Sequence, residues 1–161
     1  MRMNPLVMCL ALLLTVPGIA EARQADDQAA VLAVVRTLFD GMRDHDEAKL
    51  LSVWHPEARL QNAGRDREGN LRVSSTPVES FVSSMASMTA VVNEVTFDEE
   101  VRVDGDLATA WTPYNVFVDG EFRHCGVDAF VMARTEEGWR ILQLTDTRHP
   151  EGCDPERGGT D

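Results

Sequence analysis

The chain has 161 residues and carries 27 acidic against 15 basic side chains, a formal net charge of −12. A length of this order supports one hydrophobic core rather than two. Strong acidity with scattered arginines is a poor match for nucleic acid or an anionic membrane, and its plain consequence is solubility. Neither an internal repeat nor a low-complexity tract interrupts the sequence.

At the N-terminus, Arg2 precedes an apolar run from Leu6 to Val16, followed by the small-x-small sequence Ala20-Glu21-Ala22. This pattern predicts a secretory signal peptide over residues 1–22. The run is shorter than the roughly 20 residues that cross a bilayer, so no membrane association is expected after cleavage. Cys9 lies inside the run behind Met8 rather than at its end, which argues against lipidation. Cleavage leaves a domain over residues 23–149 and a Gly-, Pro- and charge-rich tail over 150–161, expected to be irregular and to reside in the periplasm or outside the cell.

Three helices are expected. Val31, Val35, Leu38, Phe39 and Met42 fall on one helical face, with Asp26 and Asp27 favouring the helix start. A shorter helix from about Asp46 to Trp54 would turn Ala48, Leu51 and Trp54 inward and stop before Pro56. Thr76, Pro77 and Glu79 then form a capping-box pattern ahead of Phe81, Val82 and Met85. Between the second and third helices, Ala58–Asn62 and Asn70–Ser74 read as short strands around a charged loop containing Gly64 and Gly69.

From Glu94 the period changes to two. Val95, Phe97, Val101 and Val103 alternate with polar residues, and turn signals at Asp104-Gly105-Asp106, Asp119-Gly120 and Glu136-Glu137-Gly138 divide the remainder into a four-strand antiparallel meander ending at His149. Helices first and a meander last indicate an α+β fold, with the helices on one face of a curved sheet.

Pairing across the turns assigns each side chain a face, because directly opposed residues point the same way. A two-residue turn at Asp119-Gly120 pairs Phe117 with Phe122, Asn115 with His124 and Trp111 with Asp128. A three-residue turn at 136–138 pairs Thr135 with Trp139, Met132 with Leu142, Phe130 with Leu144, Asp128 with Asp146, and Gly126 with Arg148. The first turn places Glu99 beside Trp111 and Val101 opposite Thr109. The inward face then runs from Phe130, Met132, Leu142, Leu144 and Val101 to a polar end of Trp111, Asn115, His124, Asp128, Asp146 and Arg148. An apolar floor with a polar mouth suits a small-molecule pocket. The other face carries Ala110, Thr112, Val127, Ala129, Val131 and Ala133, small enough to pack on a second copy as a homodimer. Bulges at Pro113 or Gly126 would shift this register.

Two helices and a third before a long meander, opening on Gln28-Ala29-Ala30-Val31 and closing on Glu137-Gly138-Trp139-Arg140-Ile141, resemble the nuclear transport factor 2-like superfamily, which includes SnoaL-like cyclases and ketosteroid isomerases. The segments Phe122-Arg123-His124-Cys125-Gly126-Val127-Asp128 and Asp146-Thr147-Arg148 resemble exported members of it. The resemblance implies a cone-shaped pocket and activities ranging from isomerase, dehydratase or hydrolase to plain binding.

Asp128 opposite Asp146 is a like-charge pair that needs a compensating cation or a shared proton. Asp128, Asp146, His124 and Arg148 are therefore the candidate catalytic set, with Trp111, Asn115, Phe130, Leu144, Trp54 and Glu99 as ligand contacts. One reading has an Asp as general acid or base, oriented by Arg148. The other has Arg148 bridging both aspartates in an ion-pair network without chemistry. The resemblance bears on the only tyrosine, Tyr114, which this register turns outward beside Cys125, whereas the ketosteroid isomerases use an inward tyrosine. His55, at the end of the expected second helix and ahead of Pro56, reads as a capping or loop residue.

Cys125 lies opposite His149, with Cys153 four residues further on. Export favours a Cys125–Cys153 disulfide, and a zinc site from Cys125, His149 and Cys153 is the alternative. The sequence contains no phosphate-binding loop, dinucleotide fingerprint, nucleophile elbow or metalloprotease motif, and no cofactor or metal is expected.

Overall fold

The structure, a computed structural model, describes residues 17–158. The apolar run of the expected signal peptide lies outside the described residues. Among those described, no helix is long and apolar enough to cross a membrane.

Ten elements follow in chain order: α1 (Pro17–Asp44), α2 (Glu47–Ser52), β1 (Trp54–Arg65), β2 (Leu71–Thr76), α3 (Val78–Ser87), β3 (Val92–Thr96), β4 (Glu100–Asp104), β5 (Leu107–Val118), β6 (Glu121–Thr135) and β7 (Gly138–His149). The fold is mixed α+β, with seven strands in one curved, unclosed sheet ordered β2-β1-β7-β6-β5-β3, and β4 sharing the outer edge of β5 with β3. Neighbours are antiparallel except β1 and β7, which run parallel.

The apolar stripe of α1 behaves as its spacing dictates: Val31, Val35, Leu38, Phe39 and Met42 are all buried. They meet Ala108, Ala110, Phe130, Met132 and Ile141 from the sheet, and Phe39 lies edge-on to Phe130 at 6.4 Å between ring centroids. Arg134 fixes α1 from outside by bonding Asp27 at 2.6 Å and covering the Trp139 ring at 4.4 Å.

The short helix is rotated from its expected face. Asp46 caps α2 by accepting from Lys49 N, and Leu50 rather than Leu51 enters the core, while Ala48 and Leu51 face solvent. Trp54 is the first residue of β1, not the end of a helix. The capping box before α3 does not form: Thr76 ends β2, Pro77 is the cap residue, and no side chain bonds the helix start.

The register of the meander departs from the even count in three places. At Asp119-Gly120 both residues have positive φ, 52° and 80°, as a two-residue hairpin turn requires, and Phe117 pairs with Phe122. Beyond it Arg123 is an extra residue, so Val116 pairs with His124, Tyr114 with Gly126 and Thr112 with Asp128. At 136–138 the turn has two residues, and Thr135 pairs with Gly138. Leu142 is then an extra residue in β7, so Met132 pairs with Ile141 while Phe130 still pairs with Leu144 and Asp128 with Asp146. The two displacements cancel. The bulges lie at Arg123 and Leu142, not at Pro113 or Gly126.

These shifts exchange the faces of β5. Ala108, Ala110, Thr112, Tyr114 and Val116 point inward, so Ala110 and Thr112 are core rather than a contact surface for a second copy. Leu142 leaves the inner face, and Val101 pairs with Ala110 instead of Thr109. Asp98, with φ 48°, breaks the strand between Thr96 and Glu100.

Part of the outer face is covered by the tail. Cys125 and Cys153 form a disulfide across 28 residues, with Cα atoms 5.8 Å apart. The side chain of Asn115, fully buried, donates to the carbonyls of Asp154 and Arg157, both at 2.9 Å. Arg157 stacks on Phe97 and pairs with Asp98. Replacing both cysteines with serine lengthens the freed chain and is expected to lower unfolding stability by about 3 kcal/mol in a urea titration. An unchanged midpoint would show that the noncovalent contacts of the tail suffice.

Candidate active site

The concave face of the sheet closes against α1 and α3 around a cavity of about 220 Å³. Leu38, Phe39, Met42, Phe81, Met85, Leu60, Val92, Val116 and Leu144 form its apolar wall. Its polar end gathers Asn62 of β1, Glu94 of β3, Tyr114 of β5, His124 and Asp128 of β6, and Asp146 and Arg148 of β7. Five strands thus contribute alternate residues to one spot.

The carboxyl groups there are not equivalent. Asp146 has a donor on each oxygen: Arg148 Nε at 2.7 Å on Oδ2 and Asn62 Nδ2 at 3.1 Å on Oδ1. Asp128 is 3% exposed, and no N–H or hydroxyl reaches its buried Oδ2. Its polar neighbour at this end of the cavity is Glu94, whose carboxyl interacts with it. Burial pushes the Asp128 carboxyl well above its ordinary range, and Glu94 adds to the rise through its charge. Burial likewise raises Glu94 to about 7, with the charge of Asp146 acting in the same direction and the interaction with Asp128 and the charge of Arg148 opposing it. Two buried carboxyls this close favour a state with one proton between them and titrate as a pair.

Tyr114 and His124 complete the wall. Tyr114 is buried, and its hydroxyl donates to the Thr147 carbonyl at 2.7 Å. Burial drives its titration upward, so it remains a phenol. A Cβ on Gly126 would fall 1.9 Å from Thr147 O and 2.7 Å from the Tyr114 hydroxyl oxygen, so only glycine permits this contact. The His124 ring stands edge-on to Tyr114 at 5.8 Å. Burial, and then the charge of Arg148, pull His124 below its ordinary value, which leaves a neutral imidazole at pH 7.

Of the expected set, Asp128, Asp146, His124, Arg148 and Leu144 surround the cavity. Arg148 bonds Asp146 alone and does not bridge both aspartates. The remainder lie elsewhere. The Arg123 bulge turns Trp111 outward, where it is 50% exposed, and puts Asn115 on the outer face beneath the tail. The same bulge turns Tyr114 inward, so the outward placement is corrected and with it the contrast drawn with the ketosteroid isomerases. Glu99 accepts from Thr96 at 2.7 Å on the surface. Trp54 packs edge-on against Phe81 at 6.1 Å behind the cavity wall, and Phe130 belongs to the core beneath it. His55 lies in β1 rather than in a loop, and its ring accepts from Glu57 N. The cysteines close a disulfide, which removes them as zinc ligands, and among the described residues no His, Cys, Asp and Glu cluster could hold a metal ion.

Glu94 is the site residue that the sequence pattern conceals. Val95 and Phe97 share odd numbering with Val101 and Val103, which suggests one continuous strand with Glu94 on its wet side. The break at Asp98 separates two strands of opposite phase: Val101 faces the core, whereas Val95 and Phe97 lie against Gly158 of the tail and Glu94 faces the cavity. An acid in phase with Val92 was the available signal.

A family model described as "Putative lumazine-binding" matches residues 26–145. The chain belongs to that family. Its fold is that of the nuclear transport factor 2-like superfamily, as solved structures show. A Novosphingobium aromaticivorans protein of this kind, with a cystatin-like fold, aligns at TM-score 0.67 and 16% identity over 91% of this chain and 97% of its own. A Mycobacterium tuberculosis protein of unknown function aligns at TM-score 0.69 and 14% identity over 88% and 82%. A Streptomyces avermitilis "putative dehydratase" aligns at TM-score 0.62 and 19% identity over 78% and 97%. No curated protein matches the chain. At these identities the likeness is one of fold. Family and fold together indicate a ligand-binding domain.

The shared proton has a measurable signature. The folded chain binds it more tightly than the unfolded chain, so the contribution of Glu94 to stability is complete below its ordinary value of 4.5 and is lost as the pH rises through about 7. Unfolding free energy from urea titrations is expected to fall between pH 5 and pH 8 by on the order of 2 kcal/mol. Glu94→Gln removes the titrating partner of Asp128 and should flatten the fall. Parallel curves for variant and wild type would mean that the two carboxyls do not share a proton.

Proposed function

We propose that this protein binds a small, mostly apolar molecule in the cone and exchanges a proton with it through the Glu94–Asp128 pair. The observation that carries this reading is a buried Asp128 oxygen that lacks a protein donor, beside a second carboxyl, Glu94, at the polar end of an apolar cavity. Such a pair is poised near neutral pH as both acid and base, the condition under which general acid–base catalysis is most effective. The ionised partner takes a proton from a ligand carbon or nitrogen, and the protonated partner returns one to another atom. A return to a second carbon completes an isomerisation, and a return to a leaving hydroxyl releases water in a dehydration. Asp146 and Arg148, bonded to each other, supply a fixed dipole beside the transfer, and the neutral His124 offers an acceptor.

The family description gives a shape for the ligand. Lumazine is a flat heterocycle with N–H and C=O groups along its edge, and a molecule of that form would set its faces against Phe39 and Phe81 and its edge against Glu94 and Asp128. The cavity of about 220 Å³ is smaller than the ~300 Å³ at which drug-sized sites begin, which favours a compact ligand. Export is part of the proposal, supported by the signal-like segment over residues 1–22 and the disulfide. So is pairing of two copies through the part of the outer face that the tail leaves open around Trp111.

The test is a fragment screen by NMR on the oxidised protein, followed by deuterium exchange of the bound compounds in heavy water. Val116→Trp should fill the cavity and abolish binding. Asp128→Asn should retain binding and slow exchange about 10²- to 10⁴-fold. Bound fragments that exchange no faster than in buffer would reduce the protein to a binding domain without proton chemistry.

A further inference from the structure

The strands that hold Asp146 continue past it toward the open end of the sheet, and the next row of cavity-side residues is basic. Asn62 pairs with Ser74 on one side and with Asp146 on the other. Two residues on, Gly64 pairs with Arg72, and beyond the last β1–β7 pair Gly64 and Arg148 border one groove. Leu60 and Thr76, opposed residues in the same phase, line the cavity, so Arg72 belongs to the cavity face of β2. Gly64 leaves a slot between two arginines, because it has no side chain and a Cβ there would meet Asn62 Oδ1 at 3.0 Å.

Both guanidinium groups have capacity to spare. Arg148 spends Nε on Asp146, is 64% exposed, and forms no hydrogen bond through Nη1 or Nη2 among the described residues. Arg72 is exposed and forms no ion pair among them. Arg72 and Arg148 border an open groove of about 770 Å³ that wraps this edge, where Arg65 and His149 belong to the opposite face of the sheet, and no acidic side chain lines it. In a chain of net charge −12, a rim without an acid concentrates positive potential at one place.

We propose that the rim recognises an oxyanion, so that the ligand is amphiphilic, with a compact apolar body inside the cone and a carboxylate-like end held between Arg72 and Arg148. The inference rests on the reading of the cone as a ligand cavity. Guanidinium forks suit the purpose because they meet a carboxylate through two parallel donors. The acids deeper in the site do not oppose it. Asp146 is paired with Arg148, and Glu94 and Asp128 lie on strands further from the rim, so an anion seated beyond Arg148 meets only cationic or neutral side chains.

The experiment compares phenylalkanoic acids of increasing chain length with their primary amides, by calorimetry on the oxidised full-length protein. The acid should bind at least tenfold more tightly than its amide at the best chain length, and raising the salt from about 50 to 500 mM should erode the preference. Arg72→Gln, on an exposed edge strand, should reduce the preference three- to tenfold while leaving amide affinity unchanged. Equal affinities for acid and amide in the wild type would overturn the oxyanion rim and leave the cavity reading intact. Failure of every member of both series to bind would overturn the cavity reading and the rim with it.

Discussion

One surplus residue in β6, Arg123, decides what the cavity is made of. Side chains along a strand alternate with period two, so a single added residue transfers the whole pairing from one face to the other. With Arg123 left over, the even-numbered residues of β5 meet the even-numbered residues of β6 on the concave side, and Tyr114 and Val116 join Asp128 there. An even ladder would instead turn Trp111 and Asn115 inward. The bulge also keeps both sides of β5 consistent with their surroundings. The inward positions carry Ala108 and Ala110, small enough to admit α1, while Asn115 receives on the outer side the tail carbonyls its amide requires.

The electrostatics follow from that placement. Three acids converge where only Arg148 is committed to them, and it is spent on Asp146. Bringing a second carboxyl into low dielectric beside an uncompensated Asp128 would cost several kcal/mol if both were ionised, so a shared proton is the economical state. Gly126 is the structural condition for this arrangement. It lets the Tyr114 hydroxyl bond Thr147 O, which fixes the segment of β7 between Asp146 and Arg148. A side chain at 126 would displace the acid, its cation and the phenol together.

Much of the fold can be read from local rules, and the failures share a cause. The α1 stripe and the Asp119-Gly120 hairpin each depend on a few neighbouring residues, the α+β order on the succession of such elements, and the Cys125–Cys153 bridge on two cysteines following a signal-like segment. Bulges have no such signature, and the register beyond Arg123 and the phase of β3 were hidden for that reason. The Asp128–Asp146 pairing is an instructive exception. The turn at 136–138 is one residue shorter than expected and Leu142 restores the count, so the pair was legible although two steps toward it were not. Glu94 lay out of reach because the break at Asp98 preserves the odd-even pattern of the sequence while reversing the faces.

The two faces of the sheet are linked by the same alternation. Tyr114 and Asn115 are neighbours, as are His124 and Cys125, and in each pair one side chain serves the cavity and the other the tail. The disulfide and the Asn115 bonds therefore bear on the backbone segments that aim Tyr114 and His124. Asn115 Oδ1 is already buried without a donor, so removing the tail carbonyls from Nδ2 would leave an amide with no partner on either atom until water entered. Local opening of β5 and β6 at that point is opening of the cavity wall. An oxidised, anchored tail is thus a condition for a rigid site, and rigidity matters because proton transfer requires carboxyl and ligand atoms to be held within hydrogen-bond reach.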